Sequence, residues 1–280
     1  PHSFSFRVLA GAYAAIARGG VWQKPLTYRK VTDRNGQSLL EPRPETRQVM
    51  SEASAFILTD MMQEVLRSGT AKGFAIQGGR IATAGKSGTT QDVRDKWFVG
   101  YTPYLLGVTW FGYDLPRSFP ELGQPKVIWK AVMEAAHQSL AYAPAAFREP
   151  SGLVHASVSL DAGLLPGRNC LLDGRVHDGT SRIADFVFKP GTEPNQECTV
   201  HLPPEHICTI SGGLATAACP PETVVEQSFI RKPEPWQTPQ EGDPPALDSP
   251  WEWRELAVCT LHGLPVPEAG PTPDPEPTRN

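Results

Sequence analysis

The stretch Arg80-Ile-Ala-Thr-Ala-Gly-Lys-Ser-Gly-Thr-Thr90 decides the fold, and Asp95-Lys-Trp-Phe-Val-Gly-Tyr-Thr-Pro103 follows it almost at once. Its β-branched residues suit a pleated strand, whereas Gly85 and Gly88 leave one face of that strand bare. A strand with a bare face lets a second backbone or a ligand approach closely. The sequence therefore predicts a strand that ends in a polar corner.

The polar side chains of this stretch are the candidate functional residues. Lys86 supplies a cation, and the hydroxyls of Ser87 and Thr89 can donate hydrogen bonds to a carboxylate. Gly88 leaves room for that carboxylate, and the backbone N–H of Thr89 can act as an oxyanion donor. Lys86 and Thr89 are therefore the candidate catalytic residues. The candidate substrate-binding residues are Ser87, Gly88 and Thr89.

The order of these residues resembles that of a known family. Lysine, then serine or threonine, then glycine is the third signature of the penicillin-recognising serine acyl-transferases. Residues 84–90, 95–103 and 110–114 together resemble the last strands of the transpeptidase domain in class A penicillin-binding proteins. The bare tripeptide also fits an ordinary edge strand that carries a lysine for solubility. The longer run favours the family.

Three amphipathic helices accompany these strands. An apolar stripe over residues 6–18 predicts the first, which resembles the family's helix before the final strands. Ser51 is the predicted N-cap of the second helix, which ends at Gly69, and the third runs from Val127 to Leu140. The predicted buried residues of the second helix are Phe56, Ile57, Leu58, Met61, Met62, Val65 and Leu66, and Ile128, Val132 and Ala136 share one side of the third.

The strands are predicted at residues 80–87, 95–102 and 105–113, and their short connections favour an antiparallel meander. A separate short hairpin is predicted to turn at Asn35-Gly36. Helices beside an antiparallel sheet indicate the α+β class. The resemblance implies the C-terminal portion of a penicillin-binding or serine β-lactamase-like transpeptidase domain.

Two other motifs of the family are missing from the sequence. The resemblance implies acyl transfer on a peptide ending in D-Ala-D-Ala, with an S-x-x-K serine as nucleophile and an S-x-N motif assisting proton transfer. No serine here is followed by lysine at the third position or by asparagine at the second, and Ser68 precedes Lys72 by four residues. We therefore expect a transpeptidase piece that is inactive alone. Its nucleophile, glycosyltransferase domain and membrane anchor would lie upstream.

Proline content divides the chain, with 8 prolines in residues 1–140 and 21 in residues 141–280. We expect residues 1–148 to belong to the transpeptidase domain and residues 149–231 to form a small loop-rich β tail with a weak repeat. Residues 232–280 are expected to be mostly mobile, with a short segment around 251–262. The repeat aligns 154–170 with 206–219, placing Val158 on Cys208, Gly163 on Gly213 and Leu164 on Leu214. The tail resembles cysteine-bearing tails of some class A proteins.

All five cysteines lie in this second half. We find no C-x-x-C pair and expect no histidine at metal-ligand spacing beside them, so neither a metal nor a cofactor is predicted. Disulfides are the favoured interpretation, because loops with little apolar core need cross-links, and reduced core cysteines are the alternative. The predicted disulfide cysteines are Cys170, Cys198, Cys208 and Cys219, and the odd total leaves at least one thiol without a partner in the chain.

Several other functions are disfavoured. A net charge of −4 does not suggest nucleic-acid binding. The seven histidines form no H-x-H or H-E-x-x-H motif, so a metal-dependent hydrolase is a poor fit, and His137 and His155 are interpreted as core or surface residues. Asp92 and Asp95 are interpreted as turn and strand-start residues rather than as general bases.

The chain begins with proline and shows neither a signal peptide nor a run of about 18 apolar residues, which predicts a fragment or a processed piece. The resemblance implies that the intact protein binds peptidoglycan stem peptides and β-lactams. It also implies an upstream catalytic half and a location at the extracytoplasmic face of the bacterial membrane. The alternative hypothesis is an inactive extracellular module that binds cell wall or serves as a scaffold.

Overall fold

A computed structural model describes residues 5–119, 124–174, 181–231 and 256–262. The chain divides into two compact units. The first comprises Pro1–Val154 with Val187–Thr192, and the second comprises His155–Phe186 with Glu193–Asn280. Most of the third region proposed from the sequence, residues 232–280, lies outside the described residues.

The first unit is an α+β structure, as predicted. The helices are α1 (Phe6–Ala17), α2 (Glu52–Arg67) and α3 (Pro125–Ser139), and the strands are β1 (Val21–Gln23), β2 (Val31–Thr32), β3 (Ser38–Leu40), β4 (Thr46–Gln48), β5 (Ala84–Thr89), β6 (Asp95–Tyr101) and β7 (Leu106–Gly112). The main sheet has three antiparallel strands in the order β5-β6-β7. Two separate two-stranded sheets pair β1 with β4 and β2 with β3.

Helix α2 begins where its cap predicts. The side chain of Ser51 accepts a hydrogen bond from Ser54 N at 3.2 Å, which satisfies one of the free N–H groups of the first turn. The helix buries Met62 and Leu66, as expected, together with Ala55 and Thr59. The placement of Met61 on the buried side is wrong, because its side chain is 62% exposed.

Helix α3 does not pack on the sheet through the side that carries Ile128 and Val132. Both of these side chains are exposed. The buried residues of the helix are instead Pro125, Trp129, Met133 and His137. The indole Nε1 of Trp129 donates to Gly100 O at 3.2 Å and to Gly107 O at 3.1 Å. These two glycines face each other across β6 and β7. Their lack of side chains makes the platform on which the indole lies, since a Cβ on Gly100 would be 2.5 Å from the ring.

The strand predicted at 80–87 is observed as β5, from Ala84 to Thr89. It therefore begins and ends later in the chain than predicted. Thr83 is buried but not in the ladder: its hydroxyl accepts from Ile76 N at 3.0 Å and donates to Ile81 O at 2.9 Å. The other two strands lie within one residue of their predicted positions. The hairpin turn at Gly36 is confirmed, with a φ of +82° that favours glycine.

The second unit is built from short strands and turns. β8 (Val154–Ser159) pairs with β9 (Ile183–Phe188), and β10 (Glu205–Cys208) pairs with β11 (Val224–Gln227). One hydrophobic cluster of this unit is small and is centred on Cys208, Cys219 and Cys259.

The weak repeat in this unit is present in the backbone, but its alignment differs by one residue from the one predicted from the sequence. Gly163 N donates to Ser159 O at 2.8 Å, and Gly212 N donates to Cys208 O at 2.8 Å. Both glycines have left-handed φ angles, of +69° and +71°. Ser159, rather than Val158, therefore occupies the position of Cys208.

Candidate functional site

The predicted site residues lie side by side on β5, which pairs with β6 and forms one edge of the three-stranded sheet in the described part of the chain. Opposite them on β6 are Val99, Phe98, Trp97 and Lys96, facing Lys86, Ser87, Gly88 and Thr89 respectively. Lys86 and Thr89 are exposed, whereas Ser87 and Gly88 are half-buried. The strand therefore presents its polar corner to solvent at a sheet edge.

Two open cavities adjoin this stretch of β5, and Ser87, Gly88 and Thr89 line both of them. The larger has a volume of about 480 Å³ and is also lined by Leu9, Tyr13, Lys86, Thr90, Asp95, Trp97 and Val99. The smaller measures about 310 Å³ and is completed by Thr70, Lys96, Trp97, Phe98, Gln124, Pro125 and Lys126. An extended ligand laid beside β5 would contact both.

The charges around β5 favour an anion. Lys86 Nζ donates to the carbonyl of Ser87 at 2.7 Å, and no carboxylate among the described residues forms an ion pair with it. The Ser87 hydroxyl lies 2.9 Å from that of Thr70, whose carbonyl accepts from Lys126 Nζ at 2.6 Å. An accessible cation beside two hydroxyls matches the needs of a carboxylate.

The two glycines of β5 have different roles. A Cβ on Gly85 would lie 2.8 Å from the Phe98 ring, so its small size serves packing within the sheet. A Cβ on Gly88 would meet only Trp97 Cβ, at 3.5 Å, which is ordinary contact. The absence of a side chain at Gly88 therefore keeps the cavity edge open rather than relieving a clash.

Two of the residues interpreted as structural, Asp95 and His137, form internal hydrogen bonds. Asp95 accepts from the Trp110 indole at 2.8 Å. His137 is fully buried, with Thr102 Oγ1 2.9 Å from Nε2 and Met133 O 2.7 Å from Nδ1. His155 is exposed. None of these side chains borders the cavities except Asp95.

Thr70 is the site residue that sequence reasoning missed. It lies between Gly69 and Ala71 just beyond the end of α2, and its hydroxyl reaches Ser87 across the chain. Its position directly after the predicted end of the second helix at Gly69 was the available signal.

Comparison with known proteins agrees with this geometry. Residues 3–115 match the family model for the penicillin binding protein transpeptidase domain. The chain belongs to the penicillin-binding protein transpeptidase family. Residues 84–89 and the whole β5-β6-β7 sheet fall inside the matched segment.

Curated relatives extend the similarity beyond that segment. Penicillin-binding protein 1A of Clostridium botulinum is 32% identical over 228 residues, which cover 80% of this chain and 26% of the relative. Penicillin-binding protein 1A of Clostridium perfringens is 34% identical over 198 residues, covering 69% of this chain and 23% of the relative. The chain thus spans about a quarter of the length of these relatives.

A solved member of the penicillin-binding proteins shares the fold. The crystal structure of penicillin-binding protein 1A from Haemophilus influenzae superposes with a TM-score of 0.53 at 19% identity, covering 68% of this chain and 32% of that one. Within the described residues, no helix is both long enough and apolar enough to cross a membrane.

Outside the segment matched by the transpeptidase model, the structure does not contain the predicted disulfides. All five cysteines are free thiols, including Cys170, Cys198, Cys208 and Cys219. Four of the five sulfur atoms, those of Cys170, Cys198, Cys208 and Cys259, lie 3.2–3.6 Å from a histidine Nδ1.

The expectation that no histidine lies at ligand spacing is also wrong. Two Cys-x-x-His sequences are present, at Cys198–His201 and at Cys259–His262. Each brings its thiol and its ring Nδ1 close together, at 3.2 Å and 3.4 Å respectively. Among the described residues, three groups have their ligand atoms close enough to hold a metal ion. They are Cys170, Cys198 and His201; Asp161, Asp173 and the same His201; and Cys208, Cys219, Cys259 and His262.

The thiols in these groups have altered pKa values. Burial raises the pKa of Cys170 to about 11. Burial acts in the same direction on Cys198, but hydrogen bonds led by the His201 side chain outweigh it and lower the pKa to about 7. A hydrogen bond from Ser211 is the main cause that lowers the pKa of Cys259 to about 7. Cys198 and Cys259 therefore ionise near neutral pH.

Proposed function

We propose that this chain supplies the third motif of a peptidoglycan D,D-transpeptidase, in which β5 binds the carboxyl-terminal end of a stem peptide or a β-lactam. The observation that carries the proposal is the accessible Lys86 ammonium on a sheet edge, where it lines the larger of the two cavities together with Ser87 and Thr89. Membership of the transpeptidase family supplies the reaction class.

In the proposed reaction, a serine oxygen attacks the penultimate carbonyl of the D-Ala-D-Ala end and the terminal D-alanine leaves. Lys86 would balance the charge of the terminal carboxylate and support the proton network, while Ser87 and Thr89 donate hydrogen bonds to that carboxylate. The N–H of Thr89 would stabilise the oxyanion. Gly88 leaves space for the ligand to lie along the strand.

The nucleophile of this reaction would come from an upstream half of the same protein, at the extracytoplasmic face of the bacterial membrane. No S-x-x-K or S-x-N motif occurs in the sequence. The chain alone should therefore give no covalent adduct with penicillin. A start codon directly before Pro1, with no upstream reading frame carrying both motifs, would favour the binding or scaffold module instead.

The proposal is tested by labelling the full-length gene product with a fluorescent penicillin. Lys86→Ala should slow acylation by about ten- to a hundredfold, since a hydrogen bond to a charged group is worth about 1.5–3 kcal/mol. Lys24→Ala is the matched control, because Lys24 forms an exposed ion pair with Glu45 at 3.3 Å and lines neither cavity. Equal labelling of the two variants would count against the carboxylate-binding role.

A further inference from the structure

Four side chains of the second unit converge as metal ligands do. Cys208 Sγ lies 3.6 Å from His262 Nδ1, and Cys259 Sγ lies 3.4 Å from the same nitrogen. Together with Cys219 Sγ, these ligand atoms all lie within 4.8 Å of one another. Tetrahedral Zn²⁺, with Zn–S near 2.3 Å and Zn–N near 2.0–2.1 Å, places sulfur and nitrogen about 3.5–3.6 Å apart. The observed spacings match this.

The backbone holds the contributing segments together without help from the thiols. Leu214 N donates to Ala257 O at 2.9 Å, and Cys259 N donates back to Leu214 O at 2.8 Å. A Cβ on Gly213 would lie 2.3 Å from Ala257 O, so this glycine permits the close approach of the segment that carries His262. The ligand set is thus preorganised by the fold.

The surroundings of the thiols suit a structural metal. Cys208, Cys219 and Cys259 are themselves the buried members of the local core, and the partly buried apolar residues packed on them are Ala215 and Val224. So small an apolar cluster stabilises a fold weakly, and natural domains of this kind often depend on a metal or on cross-links.

The other copy of the repeat provides an internal comparison. Leu165 N donates to Gln196 O at 2.9 Å and Cys198 N donates to Leu165 O at 2.8 Å, which reproduces the frame around Cys259. In that copy Ser159 stands where the second copy has Cys208. The first copy therefore offers three cysteine or histidine ligands and the second offers four.

We propose that Cys208, Cys219, Cys259 and His262 bind one Zn²⁺ ion as a structural site. Three thiolates and one imidazole form a ligand set typical of zinc, whereas calcium and magnesium take oxygen ligands. Four protein ligands leave no position open for water or substrate, so the site stabilises the unit and has no catalytic role.

The test measures metal bound by the whole chain, purified under reducing conditions without chelator. We expect one zinc per chain at this site, with one equivalent lost in both Cys219→Ser and Cys259→Ser. Replacement of zinc by Co²⁺ should give the visible absorption of a tetrahedral, thiolate-rich site, and that absorption should disappear in the same variants. Cys198→Ser, in the other copy, is the matched control and should keep both signals.

A second measurement needs no variant and so does not depend on variants folding. Alkylation of the native wild-type chain, followed by mass spectrometry, should show Cys208, Cys219 and Cys259 protected until a chelator is added. Wild-type chain without zinc, unchanged zinc content in Cys259→Ser, or a disulfide between any two of the three cysteines would overturn the proposal.

Discussion

Lys86 illustrates what a single residue's position in the sequence can determine. Along a strand the side chains alternate, so the order Lys86-Ser87-Gly88-Thr89 already implied that the hydroxyls of Ser87 and Thr89 would share one face of the strand and that Lys86 would lie on the other. The contact between Ser87 and Thr70 could not be derived in this way. It depends on where the end of α2 packs, which is a tertiary contact.

Tyr101 gives a prediction for the pH dependence of stability. It is fully buried, its hydroxyl lies 2.8 Å from Thr59 Oγ1, and burial raises its pKa from 10.0 to about 12. The unfolded chain therefore releases this proton first, and stability that is fully present below pH 10 is lost as the pH rises toward 12. The loss should reach roughly 2–3 kcal/mol, because a tenfold change in acidity corresponds to about 1.36 kcal/mol.

Denaturant unfolding of the whole chain across this pH range checks the prediction. Tyr101→Phe should abolish this part of the decline, whereas Tyr28→Phe, at an exposed tyrosine, should leave it in place. The same decline in both variants would show that Tyr101 does not cause it.

At the scale of elements, the patterns that predicted correctly were local. Ser51 and Gly69 set the ends of α2, and Asn35-Gly36 sets a hairpin turn, because caps and turns are decided by neighbouring residues. The side of α3 that is buried could not be predicted in this way, because it depends on contacts with residues distant in sequence. Trp129 packs on a platform that exists only when Gly100 on β6 pairs with Gly107 on β7.

The glycine platform can be tested by adding single methyl groups. Gly100→Ala would place its Cβ 2.5 Å from Trp129 Cζ2, and such overpacking should cost about 1–3 kcal/mol of unfolding free energy. Gly88→Ala is the matched control, because it adds the same methyl group to a strand glycine. Its Cβ would lie 3.5 Å from Trp97 Cβ, an ordinary contact, so the unfolding free energy should change by about 0.5 kcal/mol or less. Equal losses in urea unfolding would contradict the packing described for Trp129.

At the scale of the whole molecule, proline and cysteine content separated the second half of the chain from the first, and the structure has a separate compact unit there. Residue types alone aligned the internal repeat one position away from its backbone frame. The alignment by residue type paired Val158 with Cys208, whereas the backbone hydrogen bonds show that Ser159 is equivalent to Cys208. The ligand clusters were missed because the two local Cys-x-x-His sequences were overlooked and because the other cysteines of each cluster are distant in sequence.

The shared frame predicts a gain of metal binding. Ser159 is fully buried, and its side chain lies within hydrogen-bonding reach of the thiols of Cys170 and Cys198. Ser159→Cys would give the first copy the same three-cysteine, one-histidine set as the second. The variant should bind one more equivalent of zinc than the wild type, measured by elemental analysis of the purified chain. An unchanged zinc content would show that the two frames are not equivalent.

The most direct test of the role given to Lys86 compares a β-lactam with its neutral carboxyl ester on the full-length gene product. The wild type should be acylated faster by the free carboxylate, by about ten- to a hundredfold. Lys86→Ala should lose that preference and react with the two compounds at similar rates. If Lys86→Ala instead slows both compounds by the same factor, Lys86 does not bind the carboxylate.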